Sequence, residues 1–97
     1  MTYSLEFNED ALKEWQKLDH SVRAQFKKQL ARRLIEPHVP SARLHGPDMH
    51  NVYKIKLRDL GYRLAYEVID QTITVLVLSV AKRDKSQAYE RAARRRT

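Results

Sequence analysis

Tyr3-Ser4-Leu5-Glu6-Phe7 alternates apolar and polar, the period of a half-buried strand. Asn8 can cap a helix behind it, and Glu9 and Asp10 then stand in a first turn, where acids suit the helix dipole. Ala11, Leu12, Trp15 and Leu18 recur at helical spacing, which predicts a short amphipathic helix over 9–18. Asp19-His20-Ser21 breaks it. Val22, Phe26, Leu30 and Leu34 recur every four residues and predict a longer helix over 21–36. Arg23, Lys27, Lys28, Arg32 and Arg33 are assigned to its outward face, and Pro37 stops it.

Residues 37–51 hold Pro37, Pro40, Pro47 and Gly46, and read as a loop with a single turn near Ser41–Leu44. A loop of this length in so small a chain is often functional. The remainder reads as a β meander. Over Val52–Arg58, Tyr53, Ile55 and Leu57 face one way, and Lys54, Lys56 and Arg58 the other. Asp59-Leu60-Gly61 is a turn. Tyr62, Leu64, Tyr66 and Val68 form the core face of the next strand, with Arg63 opposite. Thr72–Ala81 is nearly continuous apolar and β-branched, as expected of an interior strand covered on both faces. Asp84 or Ser86 can cap a last helix through Ala88, Ala92 and Ala93. The expected order is βααβββα, an α+β domain with the helix hairpin on one sheet face and basic residues on the other.

The chain has 97 residues and a net charge of +7, so it forms one domain over 1–97 with a modest core. It has no cysteine, which excludes disulfides and thiolate metal sites. No signal-peptide pattern opens it and no apolar run is long enough to span a bilayer, so a cytoplasmic protein is expected. The charge is polarised. Residues 1–20 sum to −3, and the last seventeen, with Lys82, Arg83, Lys85, Arg91, Arg94, Arg95 and Arg96, sum to +5. Such a field attracts polyanions, of which nucleic acid is the first expectation and an acidic protein the second.

Lys54 and Lys56 project from one strand face about 7 Å apart, and Arg63 shares that face by parity. Arg83 follows the interior strand, and Tyr89 stands on the last helix, where an aromatic can stack on a base. Each residue has a plainer reading. The lysines can be an ordinary solvated face, Arg63 can pair with Glu67, and Tyr89 can anchor the helix. His20, His38, His45 and His50 lack metal-ligand spacing, and no nucleophile triad or phosphate loop is present. The clustered cations permit RNA cleavage by the neighbouring 2′-hydroxyl. Cations stabilise a dianionic phosphorane, and mutual repulsion lowers a lysine pKa toward that of a usable base.

Tyr53-Lys54-Ile55-Lys56-Leu57, Gly61-Tyr62-Arg63-Leu64 and Ser79-Val80-Ala81-Lys82-Arg83 together resemble the RelE toxin family. Phe7, Ala11-Leu12-Lys13-Glu14-Trp15, Lys17-Leu18 and Arg43-Leu44 with Gly46 extend the resemblance over nearly the whole chain. The resemblance implies a type II toxin that cuts mRNA in the ribosomal A site without a metal or small-molecule cofactor. It assigns Lys54 as general base or its close partner, Lys56 as second lysine, Arg63 to the transition state, Arg83 as general acid and Tyr89 to substrate orientation. Arg43, His45, Arg58, Lys82, Lys85, Arg91, Arg94 and Arg95 are expected to bind RNA. His45 replaces a family arginine, and Pro47–Val52 is longer by about two residues.

The implied partners are the 70S ribosome with its 16S rRNA, A-site mRNA and a RelB-like antitoxin. That antitoxin would cover a last helix expected to be weakly held on its alanines. Two alternatives stay open: a ParE-like toxin of DNA gyrase, and a non-catalytic RNA- or ribosome-binding module.

Overall fold

The computed structural model describes residues 2–82 and 87–96. In chain order the elements are β1 (Ser4–Phe7), α1 (Glu9–Gln16), α2 (His20–Ile35), β2 (Val52–Leu57), β3 (Tyr62–Ile69), β4 (Thr74–Lys82) and α3 (Gln87–Arg95). Asn8 caps α1, its side-chain oxygen accepting from the N–H groups of Asp10 and Ala11. α1 ends two residues before the expected boundary, and α2 starts at His20 rather than after it. The turn expected near Ser41–Leu44 is a 3₁₀ turn over Pro40–Ala42.

The sheet order is β1-β4-β3-β2, with β1 parallel to β4 and the other pairs antiparallel. β4 is therefore interior, as its continuous apolar run predicts. It begins at Thr74, later than expected, because Asp70–Thr72 form a 3₁₀ turn and Ile73 is left-handed at φ 50°. Ala65 pairs with Ser79 but Tyr66 pairs with Val77, so Leu78 is an extra residue in β4. That bulge reverses the inside–outside parity of the strand. Val75, Val77 and Val80 accordingly share the main core.

The main core lies between the sheet and the helix hairpin, with Phe26, Leu30, Tyr66 and Val77 among its members. A second, smaller core lies on the opposite face, where Val52, Ala65, Leu78 and Ala92 meet beside Leu44 and Tyr89. The expectation of a wholly basic second face is corrected by this helix cover: α3 shields part of it, and the lysines share the rest with apolar residues.

Nor is α3 weakly held. Ala88 and Ala92 are fully buried, and the Ser79 hydroxyl donates to the Ala88 carbonyl. The Glu14 carboxylate on α1 accepts from both Arg91 and Arg95 at 3.0 Å. β1 ends opposite Val77, which leaves the next backbone groups of β4 at an edge. Side chains take them: Val80 N–H donates to Glu14 at 3.0 Å and Leu78 C=O accepts from Arg95 at 2.9 Å. The alanine face is small because ion pairs share the work of docking.

Candidate active site

β2 and β3 meet in a hairpin whose register sets Lys56 directly across from Arg63 and Lys54 across from Ala65. The pleat sends Lys54, Lys56 and Arg63 to the face away from the helix hairpin. Ala65, opposite Lys54, is fully buried in the second core, where α3 packs through Ala92. Lys56 is exposed, and Lys54 and Arg63 are half-buried. A cleft of about 210 Å³ is lined by Lys56, Leu57, Arg58, Tyr62 and Arg63. A wider opening of about 580 Å³ shares Lys56 and Arg58 and continues around the hairpin toward Ser21 and Gln25 of α2.

The cations act on one another. Lys54 is the largest influence lowering the pKa of Lys56, followed by loss of hydration and the charges of Arg63 and Arg58. A lowered lysine pKa enlarges the neutral fraction able to accept a proton.

Tyr89 completes the described part of the site. The Arg63 guanidinium carbon lies 5.3 Å from the Tyr89 ring centroid, a cation–π contact. Arg63 is thus packed against α3. Burial pushes the Tyr89 hydroxyl pKa up, against a smaller opposing effect of Arg63. Among the described residues that hydroxyl is buried without a hydrogen-bond partner. Tyr89 anchors the second core and packs on Arg63, which lines the cleft.

The expected RNA-binding residues divide into groups. Arg58 lies at the cleft, and Arg43, His45, Lys82 and Arg94 are exposed. Arg43 bridges to Tyr53 along the β2 edge. Arg91 and Arg95 depart from the expected solvent-facing tail: both turn inward to Glu14, whose charge they satisfy. Arg83 and Lys85 lie outside the described residues. The chain reaches that segment from Lys82, which is registered with Tyr62 at the hairpin end of the sheet.

Two residues with structural roles here were not among the expected site residues. Glu14 had no legible signal, because its partners are far along the chain. Arg33 was placed on the outward face of α2 but is half-buried and donates to the Lys54 carbonyl at 3.1 Å. It follows Phe26 by seven residues and Leu30 by three, a phase that returns it toward the buried stripe.

The chain is similar to known toxins over nearly its whole length. The family model described as the ParE toxin of type II toxin–antitoxin systems, parDE, matches residues 5–87. The mRNA interferase toxin RelE of Escherichia coli K12 is 50% identical over 95 residues, covering 98% of each chain. The mRNA interferase RelE of Shigella flexneri is likewise 50% identical over 95 residues and 98% of each chain. A free-state mutant of E. coli RelE superposes with a TM-score of 0.90 at 47% identity, covering 100% of both chains. An E. coli RelE mutant bound to the RelBc antitoxin peptide superposes at 0.81 with 49% identity, covering 95% of each chain. The scaffold is the one that ParE and RelE toxins share, and the lysine strand with its facing arginine lies within the full-length likeness to RelE: the chain belongs to the RelE toxin family.

Proposed function

We infer that the chain is the toxin of a RelBE-type pair and cleaves mRNA in the ribosomal A site. The observation that carries this is the register of Lys56 against Arg63 on one open sheet face, with Lys54 beside it and Tyr89 on Arg63. In this reading the 2′-hydroxyl of a nucleotide attacks the adjacent phosphorus. Lys54 and Lys56 share proton removal, the more easily once repulsion favours a neutral amine. Arg63 and the lysines stabilise the dianionic phosphorane. Arg83 protonates the leaving 5′-oxygen, and Tyr89 orients the substrate.

Arg43, His45, Arg58, Lys82, Lys85 and Arg94 contact RNA phosphates of the ribosome or message. Arg91 and Arg95 join them only if Glu14 releases them. An acidic RelB-like segment restrains the toxin, and the pair acts in the cytoplasm. The described residues contain no helix long and apolar enough to cross a membrane.

The test is a toeprint of mRNA on programmed 70S ribosomes with the wild-type protein and Lys54→Ala. Cleavage by the wild type that the variant loses supports the reading. The products should carry a 2′,3′-cyclic or 3′-phosphate and a 5′-hydroxyl, whereas a 5′-phosphate would contradict 2′-hydroxyl attack. The ParE family match keeps one rival in view. Inhibited DNA supercoiling with intact translation would replace this reading by a gyrase toxin.

A further inference from the structure

β2 is the outer strand of the sheet beside β3, so alternate backbone groups of β2 point away from any ladder partner. The Val52 carbonyl is taken by the Leu44 N–H at 2.9 Å. The next outward carbonyl belongs to Lys54, and it accepts from Arg33 at 3.1 Å. The same guanidinium nitrogen donates to the Tyr66 hydroxyl at 2.9 Å. That hydroxyl in turn donates to the Pro37 carbonyl at 2.8 Å. Tyr66 is fully buried and stacks on Tyr53, its cross-strand partner, at 5.7 Å between centroids.

The chain of bonds thus runs from the end of α2 through a fixed tyrosine to the peptide that carries Lys54. It acts where the sheet is least regular. Ala65, opposite Lys54, borders the position where β4 inserts Leu78. An edge strand beside a bulged pair is easily deformed, while the lysine pair depends on the pleat for its spacing.

We propose that Arg33 is a positioning residue for the lysine strand, locking the Lys54 backbone to α2 through the Lys54 carbonyl and the Tyr66 hydroxyl. The proposal rests on the reading of Lys54 as part of the cleavage site. Arg33 touches no reacting atom and acts only through the peptide of Lys54. Small displacements of a reacting group carry large rate costs, so loss of this lock is read as rate and not as ribosome affinity.

The test uses Arg33→Met, which keeps the apolar stem and removes the donors, and Arg33→Lys, which restores one. In the free protein Arg33→Met should speed amide exchange along β2 about tenfold and leave the β4 core unchanged. On programmed ribosomes it should slow single-turnover cleavage about tenfold or more at unchanged 70S affinity. Arg33→Lys should recover most of both. In a Lys54→Ala background, followed to long times, Arg33→Met should cost clearly less than it does in the wild type. Equal losses in both backgrounds would show a general structural defect and overturn the proposal, as would wild-type cleavage by Arg33→Met. If the wild type itself cuts no mRNA, the cleavage reading fails, and β2 exchange still judges Arg33: unchanged protection overturns the lock.

Discussion

Glu14 and Arg95, 81 positions apart in the chain, meet through two hydrogen bonds of 3.0 Å, one to each carboxylate oxygen. The same carboxylate holds Arg91 and the Val80 N–H. One side chain of α1 therefore joins the first helix, the open edge of β4 and the last helix. Because α3 carries Tyr89, and Tyr89 packs on Arg63, this distant carboxylate supports a side chain that lines the cleft.

Glu14→Ala should accordingly cost about 2–3 kcal/mol, since it strands a strand N–H and two partly buried guanidinium groups. Glu14→Gln, which keeps an acceptor for Val80, should cost less. Urea unfolding gives the magnitude. Amide exchange should show α3 opening before the core of the sheet. An α3 whose protection is unchanged in Glu14→Ala would refute the clamp.

Tyr89→Phe should move stability and activity in opposite directions. Its hydroxyl is buried without a partner among the described residues. Removing an unsatisfied group relieves a penalty of about 1 kcal/mol, so the variant should melt slightly higher. The hydroxyl should gain its partner from substrate, so cleavage on the ribosome should fall. Unchanged cleavage would leave Tyr89 a helix anchor alone.

Arg63→Ala should reduce single-turnover cleavage roughly a hundredfold while 70S binding is mostly retained, because it removes one preorganised donor to the phosphorane. A quench-flow rate beside a filter-binding affinity separates the two effects. Equal loss of both would make Arg63 a binding residue.

The pH profile should reveal the lysine cluster. The Lys56 pKa is lowered, first by Lys54 and then by lost hydration and by Arg63 and Arg58. A base must be neutral, so cleavage should rise with pH and reach its plateau below the range of an ordinary lysine. Arg58→Ala weakens the repulsion and should move the inflection upward. The stability sign follows from the same shift: the unfolded chain binds this proton more tightly, so stability rises as pH passes upward through the folded pKa. An inflection unmoved by Arg58→Ala would argue against a repulsion-tuned base.

At the other end of the sheet the Tyr3 hydroxyl holds the Asp70 carboxyl below the usual carboxylate range, with help from His38. A depressed carboxyl adds stability above its unfolded pKa and loses it as pH falls through the folded one. Tyr3→Phe should therefore unfold more easily than the wild type at neutral pH, and the gap should close in acid. A gap independent of pH would show that Tyr3 works by packing.

Local chemistry determined much of this protein. Asn8 capped α1 as its side chain dictates, Pro37 lies beyond the end of α2, and the alternation through Lys54, Lys56 and Arg63 set three cations on one face. Periodicity can do this because each element buries a stripe that its own spacing creates. The alternation could not reveal the bulge at Leu78, since a strand apolar on both sides hides a change of parity. Nor could it show that Arg91 and Arg95 turn inward to Glu14, or that Arg33 reaches the Lys54 carbonyl. Those arrangements satisfy backbone groups and charges left over when β1 stops at Phe7 and β2 takes the sheet edge. Only the assembled sheet has such leftovers, so only the tertiary structure decides which side chains meet them.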